Sequence, residues 1–234
     1  MALEYYLMGI ILIPGILFAL IAQLKVQTSY RKYSKVMSEK NLKGAQVARL
    51  ILDSAGLNNV KVQKIDGELT DNFDPKTNIV SLSAGVYDST SVASIGIASH
   101  EVGHALQYGT EYTPIKIRMF MVGMCNISSK ILWPLVLIGL IFDFGLQSPF
   151  GYICLWAGIG FFGLSLIFNL VTLPVEFNAS RRAKSILSNS GILNQNEMEG
   201  VDAVLDSAAL TYVAALVISL LNLIRFLIVM RNRD

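Results

Sequence analysis

Four apolar runs limit what this chain can fold into more than any other feature of the sequence. They cover Tyr5–Leu24, Ile131–Leu146, Tyr152–Leu173 and Ala208–Met230. A helix needs about 20 apolar residues to cross the hydrocarbon core of a bilayer, so the second run is short unless it begins earlier. The chain is 53% hydrophobic and 15% charged, against about 45–50% and about 25% in soluble domains. We therefore predict a mainly α-helical, polytopic membrane protein with about four spanning helices.

The runs divide the chain into five parts. Residues 1–24 are predicted to form a retained membrane anchor, 25–130 a polar region, 131–173 a transmembrane hairpin, 174–207 a second polar segment and 208–234 a last spanning helix. Because positive residues favour the cytoplasm, their positions orient the chain in the membrane. Those used to assign the side are the ones nearer the span ends, and they gather in the two polar regions: Lys25, Arg31, Lys32, Lys35, Lys116, Arg118 and Lys130 in the first and Arg181, Arg182 and Lys184 in the second.

The hairpin turn between residues 147 and 151 carries no Lys or Arg. We therefore predict a multi-pass protein of the cell membrane with both polar regions in the cytoplasm, although Arg231 and Arg233 at the C-terminus favour the opposite orientation. The lipid bilayer is then an obligatory partner. The net charge of +2 gives no argument for a nucleic-acid partner. The oligomeric state does not follow from the sequence.

The first polar region has the pattern of a small α+β domain. A basic helical segment is predicted near residues 28–54, and "VKVQKI" and "NIVSLS" alternate as half-buried strands, forming a small sheet or a hairpin. The turn-rich "DGELTDNFDPKT" lies between them. A helix is then predicted from the N-cap candidates Asp88 and Ser89 to Gly109.

The histidines of the chain, His100 and His104, both lie in that helix, in "HEVGH", with Glu101 beside the first. Residues four apart project from one helical face about one turn apart, so they can share one metal ion. This is the HExxH arrangement, in which two imidazoles hold zinc and the glutamate is the general base. The alternative is a chance match on an exposed helix, but the face opposite the imidazoles is apolar. We predict one Zn²⁺ per chain.

A catalytic zinc site usually takes three protein ligands. Because the chain has no third histidine, the third ligand is expected to be a carboxylate. Candidates are Asp66, Glu68, Asp71, Asp74, Glu111 and Glu176. Asp143 falls at the far end of the second span, on the wrong side. We favour Glu176, just past Pro174 at the cytoplasmic end of the third span, although the helix dipole alone also favours a glutamate near a helix start.

With these residues in view, the chain resembles the YugP-type membrane zinc metallopeptidases, which are bacterial enzymes of the gluzincin kind. The resemblance runs through "LTDNFDPKTNIVSLSAGVYDSTSVASIGIASHEVGHALQ", "TLPVEFNASRRA" and "LDSAALTYVAAL". It implies a zincin-like metalloprotease domain in which His100, His104 and Glu176 ligate zinc and Glu101 is the catalytic general base.

A more distant similarity, to the HtpX and CAAX prenyl proteases, implies further roles. There an aspartate four residues after the ligand glutamate orients a zinc-bound histidine. Here that position is Ser180, an uncharged and weaker partner, for which Asn178 or a backbone carbonyl could substitute. By analogy "TNIVSLS" could pair with an extended substrate as an edge strand. Candidates for transition-state stabilisation are Tyr212, Arg181 and Arg182.

Together these features predict an integral-membrane zinc metalloendopeptidase that hydrolyses polypeptide substrates. Two alternatives remain. One is an intramembrane-cleaving protease, which would need the histidine motif inside a span, but serines interrupt the apolar residues before the motif. The other is a non-catalytic zinc-containing membrane scaffold, which would need a fourth protein ligand to close the site.

Overall fold

The computed structural model describes residues 9–231, and most of that range is helical. The elements in chain order are helix α1 (Ile13–Tyr33), helix α2 (Gly44–Ser54), strands β1 (Lys61–Ile65), β2 (Asn72–Asp74) and β3 (Ile79–Ser83), helices α3 (Ala84–Tyr87), α4 (Val92–Gly109) and α5 (Thr113–Leu140), a π-helical turn (Ile141–Gly145), and helices α6 (Pro149–Ser190) and α7 (Gln195–Arg231).

Within the described residues, three helical stretches are long and apolar enough to cross a membrane. They are Thr113–Asp143, Pro149–Ser190 and Gln195–Arg231. Each contains one of the predicted spans or most of it, and each is longer than the predicted apolar run. The first predicted span, Tyr5–Leu24, begins outside the described residues.

The chain forms two compact units. The apolar-helix unit consists of the described residues up to Leu20, Ile117–Leu173 and those from Tyr212 onward. Its core is a layer of large side chains, in which the rings of Phe162 and Phe226 stack with centroids 4.5 Å apart. The site unit consists of Ile21–Lys116 and Pro174–Thr211.

The site unit has one apolar core built around α4. Val102, Ile95 and Ala98 on one side of α4 are fully buried against α2, β3 and the ends of α6 and α7 that belong to this unit. Burial of a Val or Ile side chain contributes about 1.5–3 kcal/mol. The face of α4 opposite to the histidines is therefore fixed by the core, as its apolar pattern predicts.

The small sheet has the order β1-β3-β2. The two predicted strands exist as β1 and β3, but they pair in parallel, so they do not form a hairpin. The third strand, β2, lies inside the segment predicted as turn and pairs antiparallel with β3. The expectation that β3 is an edge strand is wrong, because β3 is the middle strand.

Two helix boundaries also differ from the sequence prediction. The basic segment of residues 28–54 is not one helix, since α1 ends at Tyr33 and α2 begins at Gly44. The N-cap of α4 is Ser91, whose Oγ accepts a hydrogen bond from the Ser94 N–H at 3.2 Å. Asp88 is instead the C-cap of α3, because that short helix occupies the preceding residues.

Candidate metal site

The HEVGH segment lies in the middle of α4, most of whose residues are buried. Small residues let neighbouring helices come close to it. A methyl group on Gly96 would stand 3.3 Å from Val201 of α7, and Gly103 lies against α6. The close approach at Gly103 holds α4 against the segment of α6 that carries Glu176.

The structure brings His100, His104 and Glu176 together. The Nε2 of His100 lies 3.2 Å from Oε2 of Glu176, and the Nε2 of His104 lies 3.6 Å from the same oxygen. The two imidazole rings are nearly perpendicular, with centroids 4.8 Å apart. The ligand atoms of the three residues all lie within 4.8 Å of one another, so they could hold one metal ion.

The donor set and its spacing fit zinc. Zinc takes imidazole nitrogen and carboxylate oxygen at about 2.0–2.2 Å in tetrahedral sites, which places neighbouring ligand atoms about 3.3 Å apart. Glu176 is only 2% exposed, and a buried carboxylate is costly unless it meets cationic or hydrogen-bonding partners. The two imidazoles are among its neighbours, and a divalent cation between the three groups would balance the negative charge.

The outer nitrogen of each imidazole has its own partner. The Nδ1 of His100 lies 3.1 Å from Oγ of Ser180, and the Nδ1 of His104 lies 3.0 Å from Oε1 of Gln107. Partners on Nδ1 fix the orientation of a ring and leave Nε2 for a metal. Ser180 therefore stands where the sequence comparison expects an orienting group for a histidine.

The remaining predicted site residues occupy different positions. Glu101 is buried on α4 beside His100, with 9% of its surface exposed. Arg181 is exposed on α6. Tyr212 is half-buried on α7 and belongs to the apolar-helix unit. The roles of Arg181 and Tyr212 in stabilising the transition state stay predictions.

The other candidate carboxylates for the third ligand are exposed or have other partners. Asp74 accepts hydrogen bonds within its own turn, and Glu111 pairs with Lys116 at 3.2 Å. Asp71 accepts bonds from the backbone N–H of Ser83 at 2.8 Å and from its hydroxyl. Burial raises the pKa of Asp71 above its ordinary value, and the bonds from Ser83 lower it by less. Asp66 and Glu68 are exposed.

Gln107 is the residue of this site that sequence reasoning missed. It is fully buried and contacts a predicted ligand. Its position three residues after His104 places it near the histidine face of the same helix, a spacing that was available in the sequence. The spacing alone does not reveal that a glutamine at this place is buried.

Comparisons with known proteins agree with zinc as the metal. A family model described as "Putative neutral zinc metallopeptidase" matches residues 8–231. A protein of Bacillus subtilis (strain 168) named "Putative membrane protease YugP" is 43% identical over 211 residues, which cover 90% of this chain and 91% of the relative. No solved structure matches.

The predicted resemblance to the YugP-type proteins is confirmed by these matches, which extend over nearly the whole chain. The histidine motif and Glu176 both lie inside the matched range. The chain therefore belongs to the neutral zinc metallopeptidase family.

Proposed function

We propose that this protein is an integral-membrane zinc-dependent metalloendopeptidase whose active site is the cluster of His100, His104 and Glu176. The observation that carries the proposal is the approach of two Nε2 atoms to one buried carboxylate oxygen, at 3.2 Å and 3.6 Å. The set offers three protein ligands, which is the number typical of catalytic rather than structural zinc.

In this proposal the Nε2 atoms of His100 and His104 and the Oε2 of Glu176 hold the zinc ion. When bound, zinc lowers the pKa of water to about 7 and polarises the carbonyl of the bond to be cleaved. The Glu101 carboxylate takes a proton from the attacking water and later donates it to the leaving nitrogen of the peptide bond. Ser180 and Gln107 keep the two imidazoles in the orientation that points Nε2 toward Glu176.

The substrate class and the location are part of the same proposal. The substrates are polypeptides, and the protein lies in the cell membrane with its site unit on the cytoplasmic side. The concentration of Lys and Arg in the two polar regions supports this orientation. Cysteine accessibility tests it: single cysteines at exposed positions of the site unit, in a variant lacking Cys125 and Cys154, should react with a membrane-impermeant reagent only after the cells are opened.

Activity and metal content of the purified protein test the proposed function together. The detergent-purified protein should contain one zinc per chain and should cleave a casein-type substrate, and a chelator should abolish cleavage. Glu101→Gln should retain zinc but lose activity by about 10²–10⁴-fold, because the general base is gone. Glu111→Gln is a matched control, since the Glu111 side chain is 80% exposed. Equal cleavage by Glu101→Gln and the unaltered protein would contradict the assignment of Glu101.

A further inference from the structure

Both N–H groups of the Gln107 side-chain amide donate a hydrogen bond. Its Nε2 donates to the backbone carbonyl of Val175 at 2.7 Å and to Oδ1 of Asn178 at 3.0 Å, while its Oε1 faces the Nδ1 of His104 at 3.0 Å. The side chain is fully buried. A buried amide this well satisfied has a single favourable orientation.

This orientation determines where the proton of His104 lies. A backbone carbonyl only accepts, so the atom of Gln107 that meets Val175 must be the NH₂ group. The atom of Gln107 that meets His104 is then the carbonyl oxygen, which also only accepts. The Nδ1 of His104 must therefore carry the hydrogen, and the neutral ring keeps its lone pair on Nε2.

Asn178 and Arg182 hold Gln107 in place from the other side. Oδ1 of Asn178 accepts a second hydrogen bond, from Nε of Arg182 at 2.9 Å. The Arg182 guanidinium also stands 6.0 Å from the centroid of the Tyr112 ring. A carbonyl oxygen has two lone pairs, so Asn178 serves Gln107 and Arg182 at once.

We propose that Gln107, Asn178 and Arg182 form a chain of positioning residues that sets the ring orientation and the protonated nitrogen of His104. The proposal rests on the proposed function, because it concerns how His104 presents Nε2 to zinc. In this proposal Arg182 acts on His104 indirectly, by holding Asn178 and through it Gln107. The sequence alone suggests instead that Arg182 stabilises the transition state by direct contact. These three residues act on His104 alone, because His100 has Ser180 as its own partner.

Zinc affinity, measured by competition with a chromogenic chelator, tests the chain with paired variants. Gln107→Met keeps the approximate size but removes the acceptor, and it should weaken zinc binding by about 10–100-fold. Asn178→Leu should weaken zinc binding by less than Gln107→Met does. Asn178→Asp keeps an acceptor for Gln107 and Arg182 and should stay within about twofold of the unaltered protein. Val102→Ala is the control, since Val102 is buried on the apolar face of α4 and should lower stability without changing zinc affinity.

Nitrogen NMR of the imidazoles supplies a measurement that does not depend on zinc. Since the chain has two histidines, labelling them with ¹⁵N gives only four ring-nitrogen signals. In metal-free protein at about pH 8, where a free imidazole is neutral, Nδ1 of His104 should carry a proton. Gln107→Met should alter the His104 signals and leave those of His100 in place.

The outcomes separate this inference from the proposed function. A His104 ring without a proton on Nδ1, a Gln107→Met variant that binds zinc like the unaltered protein, or an Asn178→Asp variant as weak as Asn178→Leu would overturn the positioning chain. If Gln107→Met does not fold, the two Asn178 variants decide. Failure of the unaltered protein to bind zinc would contradict the proposed function, while the NMR result would still report on the positioning of His104.

Discussion

Gly103 of α4 lies directly against the backbone of Ala179 in α6. A methyl group added to Gly103 would stand 2.6 Å from the Ala179 carbonyl oxygen, which is closer than two such atoms can approach. Gly103 precedes His104, and Ala179 precedes Ser180 and follows Glu176 by three residues. The contact therefore sets the distance between the two helices at the level of the predicted zinc ligands.

The Gly103→Ala variant should weaken zinc binding and destabilise the protein. The added methyl meets backbone rather than a flexible side chain, so α4 and α6 must move apart, and overpacking of this kind costs about 1–3 kcal/mol. Chelator competition and thermal unfolding in detergent measure the two effects. Gly160→Ala in α6 is the control, because a methyl there would have no neighbour within 4 Å. Normal zinc affinity in Gly103→Ala would show that this helix contact does not set the site.

Local features of the sequence predict the part of the site that lies on α4, which is the HEVGH segment. The spacing of His100 and His104 fixes their common face once α4 is helical, and the apolar face opposite to them fixes how α4 packs. Glu176 is 72 residues beyond His104 in the chain, and only its place after the third apolar run and the family resemblance point to it. The small residues Gly96, Ala98 and Gly103 indicate that α4 can pack closely against a neighbour, but the local pattern does not show that Gly103 meets Ala179 of α6.

The other differences between the sequence prediction and the structure also arise from long-range contacts. The strand β2 has only three residues inside a turn-rich segment, and it is a strand because Phe73 and its neighbours pair with β3. Gln107 appears from the sequence as a polar residue near a helix end, while its burial depends on Val175 and Asn178 of α6. Pairing and burial of this kind depend on the tertiary structure.

Ser180 should contribute to zinc affinity through its contact with His100. Ser180→Ala removes the partner at 3.1 Å from Nδ1, and we expect zinc binding to weaken by about tenfold or more. Ser180→Asp should bind zinc at least as tightly as the unaltered protein, since a carboxylate is a stronger acceptor for an imidazole N–H. Both are measured by chelator competition. Ser188→Ala, at an exposed position of the same helix, serves as the control, and a Ser180→Ala variant indistinguishable from it would remove Ser180 from the site.

Removal of zinc should lower the thermal stability of the protein. A ligand that binds only the folded state stabilises it by about 2.7 kcal/mol at a free concentration 100 times its Kd. Addition of excess chelator should therefore shift unfolding in detergent to lower temperature, and added zinc should restore it. The double variant His100→Ala, His104→Ala should not respond to either addition. An equal response of that variant would mean that zinc binds elsewhere.

Asp71→Asn should stabilise the protein at neutral pH. Burial raises the pKa of Asp71 in the folded state, so the folded protein favours the protonated carboxyl. The contribution of Asp71 to the free energy of unfolding is therefore most favourable below the pKa of the unfolded state, and it is lost as pH rises through the pKa of the folded state. Asparagine keeps an acceptor for the Ser83 N–H and carries no charge. The gain in unfolding free energy should be present at pH 7 and should vanish below about pH 3.9, the ordinary value for Asp.

The comparison for Asp71→Asn is Asp53→Asn, at a half-exposed carboxylate of the same unit that pairs with Arg49 at 2.8 Å. Removal of a surface ion pair should leave the stability unchanged or lower it by less than about 1 kcal/mol at pH 7. Chemical unfolding at a series of pH values gives the free energy of unfolding of both variants as a function of pH. A loss of stability in Asp71→Asn at pH 7 would contradict the expected direction.

The X-ray absorption spectrum of zinc in the detergent-purified protein tests the central claim most directly. We predict one zinc per chain, a first shell of nitrogen and oxygen at about 2.0–2.2 Å with no sulfur, and outer-shell scattering from two imidazoles. Glu176→Ala should change the oxygen part of that shell and leave the two imidazoles. Absence of zinc, a sulfur ligand at about 2.3 Å, or a spectrum that Glu176→Ala leaves unchanged would contradict a zinc ion held by His100, His104 and Glu176.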